Sequence, residues 1–134
     1  MDVKNLKRQH SEIMHLATYI LNNIEKSTVE QNVHEIVKSI NTITGKLKIH
    51  LLNEDKYLYP QLLKSSNIEL NTFGKKYYEE MKKVTEVYEN YKLKYNTVSK
   101  IEQNVSNFNK DTKQVFKLLS NRVDKEEKEL YSLL

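Results

Sequence analysis

At 134 residues the chain has the usual size of one domain and is long enough to bury one core without covalent staples. Its 22 Lys and Arg are interleaved with 18 Asp and Glu, for a formal charge of +4; this describes solvated helix faces and argues against a nucleic-acid partner. It has no cysteine, which excludes a disulfide framework and a thiolate zinc site, and only 2 Gly and 1 Pro, too few for the sharp turns of a strand-rich fold.

A first helix is expected from about residue 3 to 25, where Val3, Leu6, His10, Ile13, Ala17, Ile20 and Ile24 recur at spacings of three and four and so share one face. His10 therefore points inward. The same segment begins MDVKNLKRQHSEIM, with charges where a secretory signal needs an apolar stretch, and no apolar run in the chain reaches bilayer length. A cytoplasmic protein with no membrane partner is the expectation.

Ser27 followed by Glu30 reads as a capping box opening a second helix, expected over about 29–64. Its inward stripe is Val33, Ile36, Ile40, Ile43, Leu47, His50, Glu54 and Leu58, so that a histidine and a carboxylate four residues apart continue an apolar face. Gly45 weakens this helix and Pro60 suggests a bend near its end. After the connection SSNIELNT, a third helix is expected over about 73–96 with Phe73, Tyr77, Met81, Val84, Tyr88, Tyr91 and Tyr95 inward and Gly74 in its first turn. A second capping box, Ser99 to Glu102, opens a fourth helix over about 100–133, with the stripe Ile101, Val105, Phe108, Val115, Leu119, Arg122, Glu126, Leu130 and Leu133. Four helices with short connections predict an all-α, antiparallel up-down-up-down bundle whose sites are built from inward side chains.

The two halves repeat. HLLNEDKYLYP from His50 lies over RVDKEEKELYS from Arg122, pairing Glu54 with Glu126, Leu58 with Leu130 and Tyr59 with Tyr131. QHSEIMHLATYI lies over EMKKVTEVYENY, pairing His10 with Met81 and Ile13 with Val84. This pattern, and above all His50-Leu-Leu-Asn-Glu54 followed by an acidic residue, aromatics and Pro60, resembles the hemerythrin-like (HHE) cation-binding domain family over essentially the whole chain.

The resemblance implies a non-haem di-iron centre held by histidines and two bridging glutamates, used in different members for oxygen binding or sensing, iron handling, or protection of iron sites from nitric oxide. Of its ligand set the first half keeps His10, His50 and Glu54; the second keeps only Glu126, because Met81 and Arg122 stand where histidines are expected. A guanidinium has no lone pair for a metal and stays charged, and a thioether prefers softer ions than iron, so an intact di-iron centre is not expected.

Two readings remain. His10, His50, Glu54 and Glu126 form one mononuclear site for Fe(II), Mn(II) or Zn(II), a donor set of imidazoles and carboxylates suited to those ions. Alternatively Arg122 takes the place of the metal, forking to Glu54 and Glu126 within a metal-free bundle that serves as a structural or protein-interaction module. His15 and His34 fall off the inward stripes and are expected at the surface. Any of Tyr57, Tyr77, Tyr78, Tyr88, Tyr91 and Tyr131 that reaches the polar centre is expected to donate to Glu54 or Glu126. No nucleophile triad or phosphate-cradling loop is present, so a binding domain, monomeric or weakly dimeric, is expected rather than an enzyme.

Overall fold

The computed structural model describes residues 3–133, apart from the side chain of Leu133, so that expected core position lies outside the described residues. All regular elements among the described residues are helical. They are α1 (Lys4–Glu25), α2 (Val33–Asn53), a π-helical turn (Glu54–Leu58) running into α3 (Tyr59–Leu63), α4 (Ile68–Tyr95), α5 (Val98–Glu102), α6 (Val105–Lys125), a second π-helical turn (Glu126–Leu130) and a closing 3₁₀ turn (Tyr131–Leu133). α1 packs on α2, α2 on α4, α4 on α6, and α6 back on α1, which closes the four long helices into the expected bundle. No described helix is long and apolar enough to cross a membrane.

The inward stripes do bury. Ile13, Ala17, Ile20, Ile36, Ile40, Ile43, Leu47, Met81, Tyr88, Tyr91, Phe108 and Leu119 belong to one long apolar cluster. Leu6, Leu58, Tyr59, Leu62, Tyr77, Leu130 and Tyr131 form a second, shorter one. Along each helix the polar positions fall between the two: His10 between Leu6 and Ile13, His50 and Glu54 between Leu47 and Leu58, Arg122 and Glu126 between Leu119 and Leu130. The bundle therefore carries one buried polar layer sealed above and below by hydrocarbon.

Several helix ends differ from expectation, each for a local reason. The Ser27 capping box does not form. Ser27 adopts a left-handed φ of 58°, and Thr28 N–H donates to Asn23 O and Ser27 N–H to Ile24 O, a Schellman closure of α1. The buried Asn23 side chain then accepts from Thr28 Oγ1 at 2.7 Å and Asn32 Nδ2 at 2.8 Å, which holds residues 28–32 as a turn and delays α2 to Val33. The fourth helix is split, because Thr97 caps α5 by accepting from Lys100 N–H and Asn104 caps α6 by accepting from Asn107 N–H, in place of Ser99. Within α6 the core also takes Thr112 and Phe116, while Val105 and Val115 are only half-buried.

α4 starts earlier than expected, at Ile68, with Asn67 accepting from the backbone N–H of Glu69 and Leu70. Phe73 is consequently 40% exposed rather than inward, and Gly74 lies in the body of the helix. Its reason is contact: a Cβ built there would stand 2.8 Å from Leu62 Cβ, so only glycine lets α3 approach α4. Gly45, by contrast, has open space around its missing Cβ.

Those two glycines predict opposite responses in urea or thermal unfolding. Gly45→Ala should stabilise by about 0.5–1 kcal/mol, the ordinary helix-interior difference. Gly74→Ala should lose about 1–2 kcal/mol net, since overpacking outweighs the same propensity gain. Stabilisation by both would remove the close α3–α4 contact.

Candidate metal centre

His10 comes from α1, His50 from α2, and Glu54 and Glu126 each open a π-helical turn. All four are buried, His50, Glu54 and Glu126 completely. One donor atom each from His10, His50 and Glu126 lie within 4.8 Å of one another, and Glu54 Oε1 stands 3.3 Å from His50 Nε2. Ligands around one ion at about 2.1 Å sit up to about 4.2 Å apart, so a small contraction would close this set on an ion. His10, His50 and Glu126 thus come together as one possible donor set, with Glu54 beside it through His50.

The hydrogen bonding of the layer is incomplete in an informative way. His50 Nδ1 and Gln9 Oε1 are 2.8 Å apart, and since a side-chain amide oxygen only accepts, His50 Nδ1–H is the donor. His50 Nε2, facing Glu54 and Glu126, has no hydrogen-bond partner, nor does Glu54 Oε1. His10 aims Nε2 at Glu126 Oε2, 3.6 Å away, and turns Nδ1 toward Glu127, 3.9 Å away. Orphaned buried donors and acceptors are rare in finished cores, and a carboxylate or imidazole lone pair left free in such a place suits a cation.

Tyr131 completes the layer. Its phenol oxygen lies 2.9 Å from Glu54 Oε2, 3.0 Å from Glu126 Oε2 and 3.5 Å from His10 Nε2, and its ring stacks on the His10 imidazole. Of the six candidate tyrosines, Tyr131 reaches the two carboxylates, whereas Tyr77 donates to Glu129, Tyr88 to the Ile40 carbonyl, Tyr91 pairs with Thr112 and Tyr57 is exposed. One phenolic proton can serve only one carboxylate at a time, so the other contact calls for a second positive charge or proton.

The electrostatics say the same. Burial raises the pKa of Glu54 to about 8, with the neighbouring Glu126 charge adding to the effect. Burial opposes ionisation of Glu126 too, but the His10 and His50 imidazoles outweigh it and hold this carboxyl well below its ordinary value. Burial likewise disfavours charge on His50, yet Glu126 and Glu54 lift it to about 9. The layer draws positive charge to the space between His50 and the two carboxylates.

The second half is built differently. Arg122 is buried and does pair with Glu126, Nε to Oε1 at 3.4 Å, but the expected fork to Glu54 does not form. Arg122 Nη1 instead donates to Glu80 Oε2 at 2.7 Å and Nη2 to the Tyr77 carbonyl at 2.8 Å, with the guanidinium 4.6 Å over the Tyr77 ring. Glu80 also accepts from Lys125 at 3.2 Å. Partial burial works against its ionisation, but Lys125 and Arg122 keep its pKa below the usual value. Met81 is packed in the long apolar cluster, consistent with filling space. His15 and His34 are exposed, as expected.

Two participants, Gln9 and Glu80, escaped the sequence reading, as did the burial of Tyr59. The internal repeat held the signal for the first two, since QH over EM pairs Gln9 with Glu80. Each stands one residue before His10 or Met81, and each reaches the neighbouring helix, Gln9 to His50 and Glu80 to Arg122. Tyr59 and Tyr131 were paired by the repeat but lie about 140° from Glu54 and Glu126 on a straight α-helix, five residues at 100° each. The π-helical turns alter that phase. Tyr59 N–H donates to Glu54 O and Tyr131 N–H to Glu126 O, so the fifth residue after each glutamate turns inward beside the fourth.

Arg122→Ala should destabilise by about 3 kcal/mol in chemical unfolding, the low end for breaking a buried ion pair because Glu80 reaches solvent. Glu80→Gln should cost less than about 1 kcal/mol, as for a largely exposed pair. Equal losses would place the weight of the guanidinium on Glu80 rather than on Glu126.

Comparison with protein families matches the chain to the hemerythrin HHE cation binding domain over residues 1–134, while no significant match to a curated protein or to a solved structure was found. The repeat, the all-helical bundle and the buried histidine–glutamate layer agree with that match. The chain belongs, over its whole length, to the hemerythrin HHE cation-binding domain family.

Proposed function

We propose that this domain binds a single iron-type ion, Fe, Mn or Zn, at His10, His50, Glu54 and Glu126, and acts in the cytoplasm in sensing or iron handling rather than as an enzyme. The observation that carries the reading is the buried donor set, in which one atom each of His10, His50 and Glu126 lie within 4.8 Å of one another and His50 Nε2 faces Glu54 Oε1 at 3.3 Å, neither of these two with a hydrogen-bond partner. Imidazole and carboxylate donors suit these borderline and hard ions. Gln9 accepts from His50 Nδ1–H and so turns Nε2 toward the centre, the outer hydrogen bond expected of a ligating histidine.

A count of one ion follows from the second half. Arg122 places a permanent cation against Glu126 where another imidazole would be needed, and Met81 offers a soft donor in an apolar setting. When bound, the ion would supply a Lewis-acidic centre, redox-active if it is iron or manganese. The protein's part is to hold it dry: the Leu6, Leu58 and Leu130 cluster closes one side and Ile13, Leu47 and Leu119 the other. That sealing, with one half-site given to Arg122, supports binding over turnover. A metal-free bundle acting as an interaction module is the competing reading, supported by the Arg122–Glu126 pair, which already neutralises one buried carboxylate.

Protein purified under reducing, iron-replete conditions should carry one metal ion per chain by elemental analysis, and the variant His50→Ala should carry none. Gln9→Leu should keep the stoichiometry but weaken affinity by about 10–100-fold, the usual effect of removing an outer partner of a ligating histidine. Metal content no higher than that of His50→Ala would favour the metal-free reading, and two ions per chain would refute the argument from Met81 and Arg122.

A further inference from the structure

We propose that Tyr131 is itself a ligand of the ion, through its phenol oxygen, and that the site is thereby adapted to a trivalent hard cation, ferric iron. This rests on the single-ion reading above and adds to it a donor that the pattern of histidines and glutamates does not contain. The phenol oxygen is closer to the assigned ligands than a packing residue needs to be: 2.9 Å from Glu54, 3.0 Å from Glu126 and 3.5 Å from His10 Nε2. An ion drawing those atoms together would have the Tyr131 oxygen among its nearest neighbours.

The ring has little freedom to withdraw. Tyr131 is 4% exposed, packs in the cluster of Leu6, Leu58 and Leu130, and stacks on His10 with ring centroids 5.6 Å apart and planes 11° from parallel. The π-helical turn Glu126–Leu130 imposes this placement by bonding Tyr131 N–H to Glu126 O, so the backbone presents a carboxylate and a phenol five residues apart to one point.

Charge counting points to the trivalent ion. Glu54, Glu126 and a Tyr131 phenolate supply three negative charges, and a dry layer is most favourable when its charges sum to zero. Arg122 offsets part of the Glu126 charge at 3.4 Å, but its shorter bond, 2.7 Å, goes to Glu80, which leaves the layer short of positive charge without an ion. Entry of the ion exchanges the phenolic proton, released to solvent, for a metal–oxygen bond, as for any protic ligand. Tyr59 supplies the comparison within the chain. It follows Glu54 as Tyr131 follows Glu126 and is equally buried, but its hydroxyl makes no hydrogen bond to the carboxylates or the histidines.

The test is to load the full-length protein with ferric nitrilotriacetate and record iron content, the visible spectrum and resonance Raman scattering. Wild type should bind one iron per chain and show a visible phenolate-to-iron(III) charge-transfer band with enhanced tyrosine ring modes. Tyr131→Phe should lose the band and bind Fe(III) at least about tenfold more weakly, a loss no smaller than that of an outer-sphere partner; Tyr59→Phe should keep both. The wild-type spectrum alone decides whether a phenolate is bound, so the proposal stays exposed even if a variant fails to fold. Iron bound without the band overturns the Tyr131 ligand and leaves the metal site standing. A band that survives in Tyr131→Phe or vanishes only in Tyr59→Phe overturns the assignment. No ferric iron bound by wild type overturns this proposal, while the single-ion reading stands or falls on the metal content of the purified protein.

Discussion

Glu54 and Glu126 are fully buried in the middle of a hydrocarbon core and are joined through one phenol oxygen. Two carboxylates cannot both ionise in such a place without positive charge beside them, and every polar neighbour can be understood from that requirement. His10 and His50 approach from α1 and α2, Arg122 from α6, and Tyr131 closes the gap between the acids. The apolar clusters on either side make the requirement strict, because they hold bulk solvent away from the charges.

The two halves meet that requirement by different chemistry on nearly the same backbone. In one, Gln9 orients His50 through Nδ1 and turns Nε2 toward Glu54 and Glu126; in the other, Glu80 anchors Arg122, whose charge is permanent. A guanidinium needs more partners than an imidazole, which accounts for its added bond to the Tyr77 carbonyl and its stacking on the Tyr77 ring. Asymmetry at the centre is therefore a substitution of charge type within a conserved geometry of helices.

The paired π-helical turns show how that geometry is kept. Pro60 would suggest that the first turn is a proline defect, yet Ser132 stands in the corresponding place after the second turn, where the same widening occurs. What the turns share is a glutamate at their start, a buried leucine four residues on and a buried tyrosine five residues on. Widening by one residue brings the fifth position closer to the face of the glutamate than an α-helix would, and it carries Tyr59 and Tyr131 into the shorter cluster.

Periodicity alone determined the helical class, the four long inward stripes and the burial of His10, His50, Glu54, Met81, Arg122 and Glu126, since spacings of three and four leave little choice of face on a helix. The internal repeat likewise marked which positions correspond, and so where a histidine had given way to Arg122. Helix ends were poorly legible, because Asn67, Thr97 and Asn104 compete for capping with Ser99 on equal local terms, and Asn23 holds the turn after α1 through the side chains of Thr28 and Asn32. The need for Gly74 depended on how near α3 comes to α4. The partner of the Arg122 fork and the inward turn of Tyr131 were decided only by the tertiary structure. A side chain several bonds long chooses among carboxylates by distance across helices, and a change in helical phase of one residue leaves no mark on local composition.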